Sequence, residues 1–371
     1  MVKRPIFIAI LCFFTAISGQ AQPSQALKGL VKQIVDAYSE EENMQQLQVG
    51  IVEGGYTYYY QFEGADKIEK TKTDSTLLFG IGSVTKTFTA ALLAAMVAEG
   101  VVKLENSIAL YLPDSVVSAN SILKNITLEQ LATHTSGFPK MPRNLPFKMK
   151  NKEDPLADYQ LRDAYQFLMD FTPAIDRKHI QALRKNEKVF LYSHFGIGLL
   201  GHLLETAGRK SYTKLLQQYV LKPLNLKDTK LVENLLPNEG AQGHDFSGNV
   251  ELPLKYASLY ASEGLYSCLR DLLQYTKACM SQDVGYSFLK ECFEIKNDTD
   301  LKKNHVGLGW FIIERGNQKK YPFIYTHSGK TGGFSTYVAF IEKTQTAVVV
   351  LSNYNRRVDD IGIAILELIN R

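Results

Sequence analysis

The distribution of hydrophobic and polar residues predicts one helix that is apolar on nearly every side. In the segment FGIGSVTKTFTAALLAAMVAEG (79–100), no charged residue follows Lys86 until Glu99. Large apolar residues recur there at helical spacing, and alanine and valine fill the remaining faces, which is typical of a helix inside a protein. Gly100 predicts the end of the helix. Lys86 therefore needs an explanation, because a buried ammonium is costly unless it is paired or its pKa falls.

The hydrophobic pattern also predicts strands near both ends of the chain. An amphipathic helix from Ser24 to Glu42 precedes LQVGIVEGGYTYYYQFEG, which alternates and turns at Gly54-Gly55 as a β-hairpin does. A long, mainly helical stretch follows, from about Gly82 to about Tyr275. After Asn304 we predict consecutive strands in VGLGWFIIERG, YPFIYTHSG, FSTYVAFIEK and TAVVVLSN, and a final helix in RVDDIGIAILELIN.

These elements predict an α/β (α+β) fold in which one antiparallel sheet is built from both chain ends. Terminal helices would flank this sheet, and a large helical region would be inserted between its strands. We expect a single domain over residues 22–371. Its α/β lobe would comprise residues 22–80 and 303–371, and its helical lobe residues 81–302.

The N-terminus has the pattern of a secretory signal peptide. Lys3 and Arg4 precede an apolar run, Ile6–Ile17, and the small and polar residues SGQAQPS follow. The run is short for a membrane-spanning helix, so we expect removal of residues 1–21 and no stable membrane span afterwards. A retained anchor is the alternative. Cleavage implies a periplasmic or secreted protein.

Composition and charge exclude several other classes of protein. The 371 residues are 45% hydrophobic and 22% charged, as in an ordinary globular protein, and the formal charge of +4 forms no basic stripe. Nucleic acid is therefore not an expected partner. Outside the leader the chain keeps Cys268, Cys279 and Cys292, a set that allows one disulfide but requires none. The seven histidines show no metal-ligand spacing, so we expect neither a metal nor a cofactor.

Ser83 and Lys86 form a candidate nucleophile and base. A spacing of three residues places both side chains on one face of a helix. Free N–H groups at the helix start favour developing negative charge there. We expect the apolar surroundings to make Lys86 partly neutral at neutral pH, so that it can take a proton from the serine.

The spacing of these two residues is not specific by itself. The same offset occurs in three other pairs, whose lysines lie in polar segments: Ser121/Lys124, Ser211/Lys214 and Ser287/Lys290. For the first pair, the alternative is that Ser83 caps the helix and Lys86 extends its ammonium to solvent.

Further motifs raise the specificity of this assignment. FGIGSVTKTFTA occurs in order with LEQLATHTSGFP, FLYSHFGIGLLG, LKPLNLKDT, SEGLYSCLRDLLQY and THSGKTGGF, from about Leu47 to Asn353. Together they resemble the serine β-lactamase and penicillin-binding-protein superfamily, in particular the branch of class C β-lactamases, DD-peptidases and related esterases. The resemblance implies the β-lactamase/transpeptidase-like fold.

The resemblance also implies roles for individual residues. Ser83 matches the acylating nucleophile, Lys86 its base partner, and Tyr192 the tyrosine that relays a proton to the leaving group. The backbone N–H groups of Ser83 and Lys330 match the oxyanion hole. Such parts suit acyl transfer, which needs an activated hydroxyl, a proton shuttle and fixed donors. A tyrosine is normally protonated, but adjacent cations can lower its pKa.

The substrate-binding residues implied by the resemblance include two departures from the family pattern. His327, Ser328 and Gly329 match the third motif, but His327 stands where class C β-lactamases carry lysine. His194 stands at the asparagine position of the second motif, and imidazole cannot reproduce the paired contacts of an amide. A weaker positive charge at His327 also implies a weaker grip on a substrate carboxylate.

These observations predict an exported serine hydrolase that forms an acyl-enzyme on an ester, amide or peptide. Its partner would be a small-molecule or peptide substrate. Two alternatives stay open: a class C β-lactamase, and a penicillin-binding or sensor protein that acylates without turnover. We expect ester hydrolysis with weak turnover of penicillins.

Overall fold

The computed structural model describes residues 25–38, 45–64, 68–70, 72–145, 154, 156–172, 189–299, 304–315 and 323–371. The predicted leader, residues 1–21, lies outside the described residues.

The described helices and strands follow the predicted order. The α-helices are α1 Gln25–Tyr38, α2 Thr85–Ala98, α3 Asp114–Ala119, α4 Leu128–Ala132, α5 Leu161–Met169, α6 His194–Gly208, α7 Tyr212–Leu216, α8 Tyr260–Glu263, α9 Leu269–Met280, α10 Glu291–Glu294 and α11 Asp359–Leu368. The strands are β1 Gln46–Glu53, β2 Tyr56–Glu63, β3 Ile68–Glu69, β4 Phe79–Gly80, β5 Lys230–Leu231, β6 Gly243–His244, β7 Val250–Glu251, β8 Leu265–Ser267, β9 Asn297–Asp298, β10 Asn304–Val306, β11 Phe311–Glu314, β12 Phe323–Thr331, β13 Phe334–Ile341 and β14 Thr346–Ser352.

The main sheet joins both ends of the chain, as the sequence predicts. Among the described residues its strands have the order β3-β2-β1-β14-β13-β12-β11-β10-β9, and the pairs are antiparallel. The first and last strands of the chain, β1 and β14, are neighbours within it, where Leu47 is opposite Ser352 and Val52 is opposite Ala347. The mixed fold with a large antiparallel sheet is therefore confirmed.

Each face of the sheet covers its own hydrophobic core. On one face the terminal helices α1 and α11 pack against alternate residues of β1 and β14, with Val35 and Ile365 fully buried. On the other face the core is larger and includes α2, α9 and much of α6. This division follows from strand geometry, because successive side chains point to opposite faces. Helix α9 packs directly on β1, β13 and β14, and the turn that precedes α2 packs on β12 and β13.

The segment VGLGWFIIERG does not form the single strand that its composition suggests. Its backbone leaves the sheet between β10 and β11, where Leu308 N donates to Cys292 O (3.0 Å) and Gly309 N donates to Ala132 O (2.9 Å). Gly309 has a φ of 68°, which favours glycine. The two strands are consequently shorter than expected.

No helix in the described part of the chain is long and apolar enough to cross a membrane. Cys268, Cys279 and Cys292 are buried free thiols. Burial raises the pKa of Cys268 to about 12.

Candidate active site

Ser83 and Lys86 lie at the junction between a short turn and the buried helix. Residues Gly82–Val84 form a 3₁₀ turn, and α2 continues directly from it. Ser83 is 8% exposed and Lys86 is fully buried. The cap position of α2 is Val84, without a side-chain cap. The capping and solvent-reaching alternative for Ser83 and Lys86 is therefore wrong.

The Lys86 ammonium is held by polar groups of Ser83, Ser262 and Glu263, and it also lies 3.2 Å from His194 Nδ1. Its Nζ donates to Ser83 Oγ (2.9 Å) and to the backbone oxygen of Ser262 (2.9 Å), and it lies 3.6 Å from Glu263 Oε1. By contrast, Ser121, Ser211 and Ser287 are exposed. Burial thus separates the Ser83 pair from the other three pairs with the same spacing.

Glu263 is the residue of this site that the sequence prediction missed. Its Oε1 accepts the Ser83 hydroxyl (2.7 Å) and lies 2.6 Å from His194 Nδ1. The carboxylate is brought there by pairing of two segments that are distant in sequence, since Ile81 N donates to Leu265 O (3.0 Å) just beyond Glu263. Sequence did contain a signal: Glu263 is the only charged residue between Lys255 and Arg270.

Burial and charge set the protonation states of the Lys86–Glu263 pair. Burial lowers the pKa of Lys86 to about 8, although the neighbouring Glu263 charge acts in the opposite direction. Burial alone would raise the pKa of Glu263, but Lys86 and His194 outweigh it and hold that pKa at about 2. Glu263 is thus a carboxylate at neutral pH, while Lys86 is mainly charged with roughly a tenth of it neutral. The expected downward shift of the Lys86 pKa is confirmed.

Tyr192 lies beside these groups in an aromatic cluster. Its ring centroid is 5.2 Å from Lys86 Nζ and 4.4 Å from the centroid of the His134 ring. Burial raises the pKa of its phenol, while an interaction with the Ser83 side chain acts in the opposite direction. Adjacent cations therefore do not produce a low pKa here, and the phenol is protonated at neutral pH.

His194 begins helix α6, and its ring lies against Glu263 and Lys86. Together with Ser83 these two residues form the group that we call the Ser83 cluster. The hydroxyl of Ser193 caps this helix by accepting from Gly196 N (2.8 Å), and His194 N donates to Lys140 O (3.0 Å). Burial and the Lys86 charge lower the pKa of the His194 imidazole despite its contact with Glu263. The side chain is neutral at neutral pH and keeps 11% exposure.

Strand β12 lies against the Ser83 turn because two glycines allow close contact. A Cβ on Gly82 would come within 2.6 Å of both Lys330 N and Lys330 O, and a Cβ on Gly329 would overlap the carbonyl oxygen of Ile81. That same Cβ would lie 3.1 Å from Ser83 N. The backbone segments carrying the Ser83 and Lys330 amides are therefore adjacent.

The other two residues of the third motif have different surroundings. Burial and the Lys86 charge lower the pKa of His327 to about 3, so this imidazole is neutral and provides no positive charge. Its Nδ1 lies 2.7 Å from Ser328 O. Ser328 donates its hydroxyl to Asp359, which Arg357 also binds (3.0 Å). The Ser328 hydroxyl is thus held by the start of α11.

A cavity of about 1080 Å³ lies beside the β12–β13 hairpin. Phe334, Tyr256 and Tyr260 contribute to its lining, together with the segments around β6 and β7. The Tyr256 hydroxyl bonds to Thr331 at the end of β12. Ser83, Lys86, Tyr192, His194 and Glu263 do not contribute to its lining.

Within the described ranges, one group of side chains has the spacing of metal ligands: Asp228, Cys268 and Asp271. Arg270 forms an ion pair with Asp228, and Asp271 accepts from Thr229 N (2.9 Å) and Thr229 Oγ1 (3.0 Å). The group has partners within the protein and lies outside the Ser83 cluster.

Comparisons with known proteins identify the family of this chain. The family model described as Beta-lactamase matches residues 31–368. A β-lactamase from Pseudomonas fluorescens is 27% identical over 359 residues, covering 88% of this chain and 94% of that protein. A β-lactamase from Escherichia coli (strain K12) is 24% identical over 392 residues, covering 94% and 95% respectively.

A solved structure has the same fold. The crystal structure of a β-lactamase/D-alanine carboxypeptidase from Pseudomonas syringae covers 92% of this chain, and this chain covers 99% of it, with a TM-score of 0.74 and 23% identity. Since the family model spans most of the sequence, the chain belongs to the β-lactamase family of hydrolases.

Proposed function

We propose that this protein is an exported serine hydrolase that forms an acyl-enzyme on Ser83. The observation that carries the proposal is the 2.9 Å contact between Lys86 Nζ and Ser83 Oγ, buried at the start of α2. A hydroxyl next to an amine with a lowered pKa is an activated nucleophile. Export rests on the predicted leader, and the periplasm or the exterior is the proposed location.

In the proposed acylation step, neutral Lys86 accepts the Ser83 proton as Oγ attacks the substrate carbonyl. The amides of Ser83 and Lys330 would stabilise the oxyanion. Tyr192 would donate its proton to the leaving group and be reprotonated from Lys86. A protonated phenol supports this donor role, since its raised pKa disfavours a tyrosinate.

An ester, amide or peptide fits the site better than a β-lactam. The neutral His327 offers no cation for a substrate carboxylate, and His194 presents one ring nitrogen to the cleft instead of an amide. Hydrolysis of β-lactams is the second candidate, favoured by the two relatives that carry the name β-lactamase. Acylation by penicillin without turnover is the third.

One panel of reagents separates these candidates. The purified protein is incubated with a fluorophosphonate, a labelled penicillin, a D-Ala-D-Ala peptide and short-chain p-nitrophenyl esters, and both labelling and turnover are measured. The proposal predicts fluorophosphonate labelling, ester turnover and slow penicillin turnover. Efficient penicillin turnover would support the second candidate, and stable penicillin labelling alone the third. A lack of any labelling or turnover would refute the hydrolase proposal.

A further inference from the structure

His194 and Ser83 share one carboxylate oxygen. Glu263 Oε1 lies 2.6 Å from His194 Nδ1 and 2.7 Å from Ser83 Oγ. The imidazole is therefore next to the oxygen that would carry the acyl group. The fold thus brings together around the nucleophile two residues that lie 69 positions apart in sequence, His194 and Glu263.

The contacts of Glu263 determine which nitrogen of His194 carries the proton. Because Glu263 is ionised, it can only accept, so the short contact requires His194 Nδ1 to be the donor. The 3.2 Å approach of Lys86 Nζ to the same Nδ1 is then a charge contact without a shared proton. Nε2 consequently carries the lone pair, as in other imidazoles oriented by a carboxylate.

The second nitrogen of the His194 ring, Nε2, keeps access to solvent. Among the described residues no group forms a hydrogen bond with His194 Nε2, and the side chain keeps 11% of its surface exposed. His327 differs, because its Nε2 is buried. A basic nitrogen with access to solvent, on an imidazole that shares Glu263 Oε1 with Ser83, can receive a proton from water.

We propose that His194, held by Glu263 as the Nδ1–H tautomer, is the general base that activates water to hydrolyse the acyl-enzyme. This inference rests on the proposed function. Glu263 is then a positioning residue, because it holds the His194 imidazole. It adds a second acid–base pair to the one that Lys86 and Tyr192 provide for acylation.

The step balances without any co-reactant except water. The water oxygen bonds to the acyl carbon while its proton moves to His194 Nε2, and the negative charge of Glu263 stabilises the imidazolium. The tetrahedral intermediate then breaks its bond to Ser83 Oγ, which takes that proton back. The acyl group leaves as a carboxylic acid, and the imidazole is again neutral.

Pre-steady-state hydrolysis of p-nitrophenyl acetate separates the two half-reactions. The initial burst of p-nitrophenol reports acylation of Ser83, and the steady phase reports deacylation. His194→Gln and Glu263→Gln are compared with the unmodified protein, and intact-protein mass spectrometry follows the acetylated form. His202→Gln is the matched control, because His202 lies on the same helix and contacts the carboxylate of Glu205 (3.1 Å).

The proposal predicts that His194→Gln keeps its burst but loses about 10²-fold in deacylation, the usual contribution of a general base. Glu263→Gln should keep its burst and slow deacylation about 10-fold. Both variants should accumulate acetyl-enzyme, whereas His202→Gln should not. Deacylation at unmodified rates in folded His194→Gln and Glu263→Gln would overturn the proposal while leaving the acyl-enzyme mechanism intact.

The pH dependence of the unmodified protein gives a test that needs no variant. Lys86, Glu263 and Lys140 are the charged groups that act on the His194 imidazole. Burial and the Lys86 charge lower the pKa of His194, so deacylation should decline only at a pH below the ordinary histidine value of about 6.5, where protonated Nε2 cannot accept a proton. A burst followed by pH-independent deacylation down to pH ~4 would contradict the proposal. Absence of a burst and of acetyl-enzyme would instead refute the acyl-enzyme mechanism itself.

Discussion

Replacing Glu263 with glutamine should move the pH dependence of acylation to lower pH. The negative charge of Glu263 stabilises the Lys86 ammonium and so raises the pKa of Lys86. Burial has the larger, opposite effect and sets that pKa at about 8. Because only neutral Lys86 can accept the Ser83 proton, acylation of the unmodified protein should increase as pH rises through about 8. Glu263→Gln removes the charge but keeps the size of the side chain.

The size of the shift follows from the 3.6 Å separation between Lys86 Nζ and Glu263 Oε1. Two unit charges about 4 Å apart interact by about 4 kcal/mol at an effective dielectric constant of ~20 and by about 1 kcal/mol in water. One pKa unit corresponds to about 1.4 kcal/mol. The midpoint should therefore fall by about 1 to 3 pH units.

The assay is the burst rate constant with p-nitrophenyl acetate from pH ~5 to pH ~10. Glu205→Gln is the control, since Glu205 is also half-buried but does not act on Lys86. Its midpoint should equal that of the unmodified protein. An unchanged midpoint in folded Glu263→Gln would show that this carboxylate does not control the Lys86 proton.

Three further variants test other parts of the site. Lys86→Arg keeps a cation that cannot deprotonate, so the folded variant should acylate at least ~10²-fold more slowly in the burst assay; a normal rate would make Lys86 a structural charge. Gly329→Ala places a methyl group against Ile81 O and should reduce the burst rate more than ~10-fold. The control Gly29→Ala meets only open space and should change the burst rate little. Equal burst rates in the two variants would refute the close packing of β12 on the nucleophile turn. His194→Asn should shift the ratio of kcat/KM for a penicillin to that for an ester towards the penicillin by about 1–2 kcal/mol, on the order of one hydrogen bond; an unchanged ratio would mean that His194 does not select the substrate.

The sheet was predictable because its pattern is local. The alternation in β1 and β2 and the turn at Gly54-Gly55 each lie within a short stretch of sequence. The break between β10 and β11 was not predictable, because the groups that bind Leu308 N and Gly309 N come from α10 and α4. A composition typical of a strand does not reveal such distant partners.

The position of the nucleophile pair was predictable for a similar reason. A single lysine in an otherwise uncharged helix indicates burial, and Lys86 is fully buried while Lys124 and Lys214 are exposed. The catalytic roles of Ser83 and Lys86 stay predictions. Glu263 is likewise an isolated charge in the sequence, but the sequence does not show that its partner, Ser83, lies 180 positions away.

The protonation states could be predicted only in part. Apolar neighbours in sequence were enough to predict the lowered pKa of Lys86. For Tyr192, the direction of the shift depends on how much of the phenol is buried and on the Glu263 charge, both of which arise from tertiary contacts. The neutral state of His327 likewise depends on the nearby Lys86 charge and on complete burial.

The most direct test of the central claim is covalent labelling of Ser83. The unmodified protein and Ser83→Ala are treated with a fluorophosphonate, and the modified residue is located by peptide mass spectrometry, with Ser121→Ala, Ser211→Ala and Ser287→Ala as controls that share the three-residue spacing to a lysine. We predict labelling at Ser83 in the unmodified protein and in all three controls, and none in Ser83→Ala. Full labelling of folded Ser83→Ala would contradict it.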